Sequence, residues 1–223
     1  MLTRIIRTFI LVVGFLTAGV ATSQAKEADV MLLEAVLAGD LARLRSAIGA
    51  GADLEFRDGD GRTALLVATR KNDVDVARLL IEAGADVNAK DSIEDTPFLY
   101  AGAEGRDEIL KLILATGKAN LRDTNRYGGT ALIPAADHGY PETVRILLGT
   151  AIDIDHVNNL GWTALLEAVI LGDGGPVQQE IVGLLIDAGA KNLPDGDGVT
   201  ALDHARQRGF KAMVRRIEAG PRK

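Results

Sequence analysis

A threonine-led tetrapeptide returns through this chain at nearly constant intervals: Thr63-Ala64-Leu65-Leu66, Thr96-Pro97-Phe98-Leu99, Thr130-Ala131-Leu132-Ile133, Thr163-Ala164-Leu165-Leu166 and Thr200-Ala201-Leu202-Asp203. Successive threonines lie 33, 34, 33 and 37 residues apart. Self-similarity at such a period means one structural unit per repeat, stacked so that each unit buries its apolar face only against its neighbours. The phase of the threonine therefore assigns every other residue to a place within a unit.

Each period reads as a Gly/Asp-rich turn, a short helix opening at the threonine, a Gly or Asn break, a second helix and an exit turn. In the second period Thr63 has the hydroxyl that an N-cap needs, and Leu65 and Ala68 share one helical face. Val76, Leu79 and Leu80 fall at i, i+3, i+4 toward a core, leaving Asp75, Arg78 and Glu82 for water, and Gly84 fits a left-handed C-cap. Helices of about ten residues or fewer are too short to stand alone in water, so their stability must come from neighbouring units.

With its Thr96-Pro97-Phe98-Leu99 opening and its Gly84-Ala85-Asp86-Val87-Asn88 exit, echoed by Gly51-Ala52-Asp53-Leu54-Glu55, the chain resembles the ankyrin repeat proteins over residues 29 to 217. The resemblance implies an all-α solenoid of about six helix-turn-helix units with short β-turn hairpins, with boundaries near 29–57, 58–90, 91–124, 125–157, 158–194 and 195–219. The family's opening histidine is absent: Leu66, Leu99, Ile133, Leu166 and Asp203 stand there, so packing is expected to replace a polar link between units. The run Gly172 to Gln179 lengthens the fifth unit and reads as a protruding loop. Asp29 reads as the N-cap of the first unit, and Arg206, Arg208, Arg215 and Arg216 suit the solvent face of a terminal cap.

Residues 1–25 read as an export signal: Arg4 and Arg7, then an apolar run from Phe9 to Val20, then Ser23-Gln24-Ala25 as a small-x-small cleavage site. Twelve greasy residues are short of the roughly 20 that a membrane span needs, so cleavage is expected, with retention as an anchor the alternative. The expected location is the periplasm or the secreted space. Without Arg4 and Arg7, 23 basic residues remain against 31 acidic ones, a formal charge of −8. That balance disfavours nucleic acid and anionic membrane surfaces as partners. The absence of cysteine rules out disulfides, thiolate catalysis and thiolate metal ligands.

No catalytic constellation emerges. His138, His156 and His204 fall at different places in their units, and no His-Glu-x-x-His spacing occurs. Asp58-Gly59-Asp60-Gly61 and Asp195-Gly196-Asp197-Gly198 resemble fragments of calcium loops, but neither supplies the bidentate Glu at the twelfth position, and both sit where a turn tip wants Asp and Gly. Glycine-rich phosphate loops and the Gly-x-Ser-x-Gly elbow are absent as well. The expectation is a non-catalytic protein without cofactor or metal.

The resemblance further implies that the turn tips and the exposed ends of the first helices line a surface that meets a partner protein. At those positions the chain turns apolar and aromatic from the third unit to the fifth, with Ile93, Tyr127, Leu160, Trp162, Ile170 and Leu171. Arg126 and His138 stand beside them, so these eight residues are the expected partner-binding set. An alternative use of Trp162 is to lie back over the neighbouring tip and fill space. A monomer that binds another protein is expected: to support a stress-protective enzyme, to neutralise a toxin, or to act as a secreted host-directed effector. The competing class is a small-ligand binder or enzyme using the 172–179 stretch as a lid.

Overall fold

The computed structural model describes residue 24 and residues 26–222. The expected export signal thus lies, apart from residue 24, outside the described residues. Helix α1 covers residues 26–38, and eleven helices follow: α2 (Leu41–Gly49), α3 (Ala64–Lys71), α4 (Val74–Ala83), α5 (Pro97–Ala103), α6 (Asp107–Ala115), α7 (Leu132–Asp137), α8 (Pro141–Leu148), α9 (Ala164–Ile170), α10 (Pro176–Asp187), α11 (Ala201–Gln207) and α12 (Lys211–Ala219). The chain is an all-α solenoid of paired helices. Helices α3, α5, α7, α9 and α11 pack successively in an inner row, and α2, α4, α6, α8, α10 and α12 do so in an outer row. The expected hairpins are reduced to isolated antiparallel bridges, Arg57 with Thr63 and Pro194 with Thr200. Among the described residues no helix is long and apolar enough to cross a membrane.

The repeat threonine starts its helix for a local reason. The side chains of Thr63, Thr96, Thr163 and Thr200 accept from the amide three residues on, closing one orphan donor of each inner helix. Thr130 departs from this pattern. Pro134 follows it by four residues, and a proline ring crowds the carbonyl four residues before it. The Thr130 carbonyl instead takes the Ile133 amide at 3.2 Å, α7 begins later, and the buried Thr130 hydroxyl has no hydrogen-bond partner among the described residues. Gly84 ends α4 at φ 100°, as expected of a left-handed cap.

Two expectations about local structure change. Asp29 is not an N-cap, because helical residues already precede it; its carboxylate accepts the Asp53 amide at 2.7 Å and ties the first helix to the exit turn of the same unit. The 172–179 stretch is not a long loop, because Pro176 opens α10 as a first-turn proline and Gln178 and Gln179 are helical. Gly172 is buried there, and a Cβ on it would come within 2.4 Å of the Ala168 carbonyl oxygen.

The core is continuous along the solenoid. Leu65, Leu80, Phe98, Ile109, Leu132, Leu147, Leu165 and Leu185 are fully or almost fully buried and belong to one apolar cluster. Gly102 lets α5 and α7 approach: a Cβ at that position would stand 2.7 Å from the Cβ of Ala131.

Candidate partner-binding groove

Five residues before each repeat threonine stands an Asp or Asn: Asp58, Asp91, Asn125, Asn158 and Asp195. In every unit its Oδ1 accepts the amides two and four residues on, at 2.9–3.1 Å, and so closes the tip loop. This occupation explains the calcium-like sequences at Asp58 and Asp195. Among the described residues no cluster of His, Asp and Glu could hold a metal ion.

The fourth residue after the threonine belongs to the same device. It is Val67, Tyr100, Pro134, Glu167 and His204 in successive units, on the inner-row helix beneath the tip. Where it is polar it can meet the tip residue nine positions earlier: His204 Nε2 lies 2.8 Å from Asp195 Oδ2, and Asn158 Nδ2 donates to Glu167 Oε1 at 2.7 Å. Asn, not Asp, at 158 supplies the donor that a carboxylate neighbour requires.

Glu167 is thereby held in an unusual state. Its side chain is only 7% exposed, and burial, aided by the charge of Asp137, pushes its carboxyl from the ordinary 4.5 up to about 7. Burial likewise raises Asp137, against the pull of the neighbouring His138, and Asp95, where the nearby Asp91 adds to the effect.

These groups line one groove of about 360 Å³ formed by the third, fourth and fifth units. Asp95, Glu104, Asp137 and Glu167 supply four carboxyl groups against the guanidinium of Arg126, and Tyr100 and Tyr127 supply aromatic walls. Arg126 stacks over Tyr127 with 4.6 Å to the ring centre, and Arg70 over Tyr100 with 4.5 Å. Tyr127, Leu160 and Leu171, between 51% and 59% exposed, make an apolar rim.

Of the eight residues expected to bind a partner, the groove brings together Arg126, Tyr127, His138, Leu160 and Leu171. Ile93 is exposed at the neighbouring tip and does not line it. Trp162 and Ile170 are half-buried against the core and do not line it either. Trp162 packs against the core, and its amide donates to Asn158 Oδ1 at 3.0 Å. Sequence reasoning missed Glu167, the partial burial of Asp137 and the tip residues Asn125 and Asn158. The available signal was a lone carboxylate inside the apolar run Ala164-Leu165-Leu166-Glu167-Ala168-Val169, nine residues after an Asn.

The eighth residue after the threonine has a second task. Lys71 Nζ donates to the carbonyls of Val36, at 3.1 Å, and Leu37; His138 Nδ1 lies 2.7 Å from the Ala103 carbonyl; Arg208 donates to those of Val169, at 2.7 Å, and Ile170. Each side chain satisfies the carbonyl end of the preceding inner helix. Packing alone therefore does not join the units. The groove's hydroxyls are the phenols of Tyr100 and Tyr127, and His138 Nδ1 is held at a backbone carbonyl.

The sequence model of ankyrin repeats in three copies matches residues 32–123 and 103–194. The chain is 42% identical over 109 residues to the putative ankyrin repeat protein YahD of Escherichia coli (strain K12), a stretch that is 48% of this chain and 54% of that protein. It thus spans about half the length of that curated relative. An ankyrin repeat domain from Acinetobacter baumannii AYE superposes with a TM-score of 0.82 at 52% identity, covering 84% of this chain and 96% of that one. The ankyrin repeat protein EF0377 gives the same score and coverage at 41% identity. The ankyrin repeat domain of Bcl-3, a member of the IkappaB protein family, gives 0.77 at 29% identity, covering 86% of each chain. Ankyrin repeats are protein–protein interaction modules, generally non-catalytic scaffolds. Helix pairs, tip loops, repeat period and close relatives agree, and the chain belongs to the ankyrin repeat family.

Proposed function

We propose that this chain is an exported, non-catalytic binding protein whose partner docks across the groove of the third to fifth units. The observation that carries the reading is the exposed rim of Tyr127, Leu160 and Leu171 beside a partly desolvated polar floor. An apolar patch over such a floor has the make-up of a binding hot spot, in which aromatic and Arg residues dominate. The N-terminal segment points to action in the periplasm, as a monomer that supports a stress-protective enzyme or neutralises a toxin.

The test is affinity capture from periplasmic extract by the immobilised chain, compared with a Tyr127→Ala/Leu160→Ala variant. Both residues are exposed, so the variant keeps its fold. A captured protein that the variant loses, by about tenfold or more in affinity, supports the reading. A partner held equally by both overturns the placement on this groove.

A further inference from the structure

The side-chain donors that close the carbonyl ends of the inner helices are missing at two positions, Glu104 in the third unit and Leu171 in the fifth, and the second lies beside two carboxyl groups of the groove. Lys71, His138 and Arg208 each supply a donor to the unit before them. At the same position of the fifth unit stands Leu171, whose exposed side chain has no donor to give to the carbonyls of Ala136 and Asp137 at the end of α7. Beside that helix end lie the carboxyl groups of Asp137 and Glu167. Glu167 Oε1 is engaged by Asn158, and Oε2 accepts from no donor among the described residues. A helix C-terminus carries partial negative charge, so helix end and carboxylates favour the same ligand sign.

We propose that the groove takes a cationic side chain of a partner protein, an arginine, seated against Asp137, Glu167 and the end of α7, where it does in trans what Lys71, His138 and Arg208 do in cis. Two carboxyl groups, those of Asp137 and Glu167, line the groove, which suits the forked donors of a guanidinium better than the single head of lysine. Tyr127 at the rim offers an aromatic surface to such a side chain, as it already does to Arg126. The net negative charge of the chain draws a basic segment in. A bound cation also relieves the cost of charge on the buried Glu167 and the half-buried Asp137, which desolvation, joined at Glu167 by the charge of Asp137, pushes toward their neutral forms.

This inference rests on the groove being the partner-binding surface, and its test is separable from that reading. Acetyl-arginine-amide is titrated into the isotope-labelled chain at about pH 8, where Glu167 is ionised, with backbone amide shifts followed by NMR. Acetyl-citrulline-amide, its uncharged isostere, is the control ligand. The expected result is saturable shifts confined to amides around Asp95, Tyr127, Asp137 and Glu167. Glu167→Gln should weaken binding by about fivefold or more, with citrulline producing no saturable shift. Glu108→Gln/Glu142→Gln, which removes two exposed carboxylates from the outer helices, should leave the affinity unchanged.

Shifts spread over the surface, equal binding of citrulline, or equal weakening by the outer-helix variant would overturn the proposal. Loss of the natural partner with Tyr127→Ala/Leu160→Ala but not with Glu167→Gln would overturn the cation and leave the groove standing.

Discussion

Replacing Glu167 by glutamine removes an ionisable group from the floor of the groove while keeping an acceptor for Asn158 at the same place. The carboxyl is raised from 4.5 to about 7 in the folded chain, so the folded state holds its proton more tightly than the unfolded state does. The stability tied to that proton is present below about pH 4.5 and is lost as pH rises through about 7. A rise from 4.5 to about 7, at about 1.4 kcal/mol for each tenfold change in proton affinity, sets a ceiling of about 3.5 kcal/mol. The groove leaves the carboxylate some access to water, which brings the expected value to about 2 kcal/mol.

Wild type and Glu167→Gln should therefore be about equally stable near pH 4.5, with the variant ahead by about 2 kcal/mol at about pH 8. Thermal unfolding followed by circular dichroism should show the Tm difference opening to about 4–8 °C over that range. Other titrating groups are common to both chains and cancel in the difference, except Asp137, whose like charge adds to the strain on Glu167 and is relieved by the same change. A Tm difference that stays flat with pH, or a variant that is less stable at high pH, would refute the account of Glu167 as a buried, reluctantly charged group.

Asn158→Ala removes two tip-loop acceptor contacts and the donor to Glu167 together. It should cost about 2–4 kcal/mol in urea denaturation, and a loss under about 1 kcal/mol would mean that the tip closes without it. Glu94 has φ 70° at a tip position where Gly61, Gly128, Gly161 and Gly198 stand in the other units. Glu94→Gly should raise stability by about 0.5–1 kcal/mol, read as a higher denaturation midpoint; a lower midpoint would show that the 3.9 Å approach of Glu94 to Lys90 outweighs the backbone strain.

The helical pairing, the capping threonines and the Gly84 stop were legible because each depends on residues only a few positions apart. Helix termini are decided by local hydrogen bonding, and the period then repeats the decision. What the sequence hid depends on the geometry between units. Trp162 occupies a tip position that is usually polar, yet its ring packs inward, because burying a large aromatic surface outweighs the preference of the turn. Glu167 carried no assignment from the sequence, and its burial arises where α9 packs among its neighbouring helices. The Gly172 to Gln179 run read as a loop from its glycines, but a proline in a first turn starts a helix rather than breaking one. Thr130 shows the reverse case, in which the motif is intact and a proline four residues on prevents its use.

The donors that reach back from one unit to the next also govern what happens when the number of repeats changes. Arrays of this kind gain and lose whole units readily, since each unit touches only its neighbours. Deleting the fifth unit would set the sixth directly against the fourth, and Arg208, which now serves Val169 and Ile170, would face the carbonyls of Ala136 and Asp137 instead. The shortened array would keep its architecture, lose Asn158, Leu160, Glu167 and Leu171 from the groove, and close the end of α7 with an internal arginine. Repeat number in such a chain is therefore a switch of specificity as well as a measure of length.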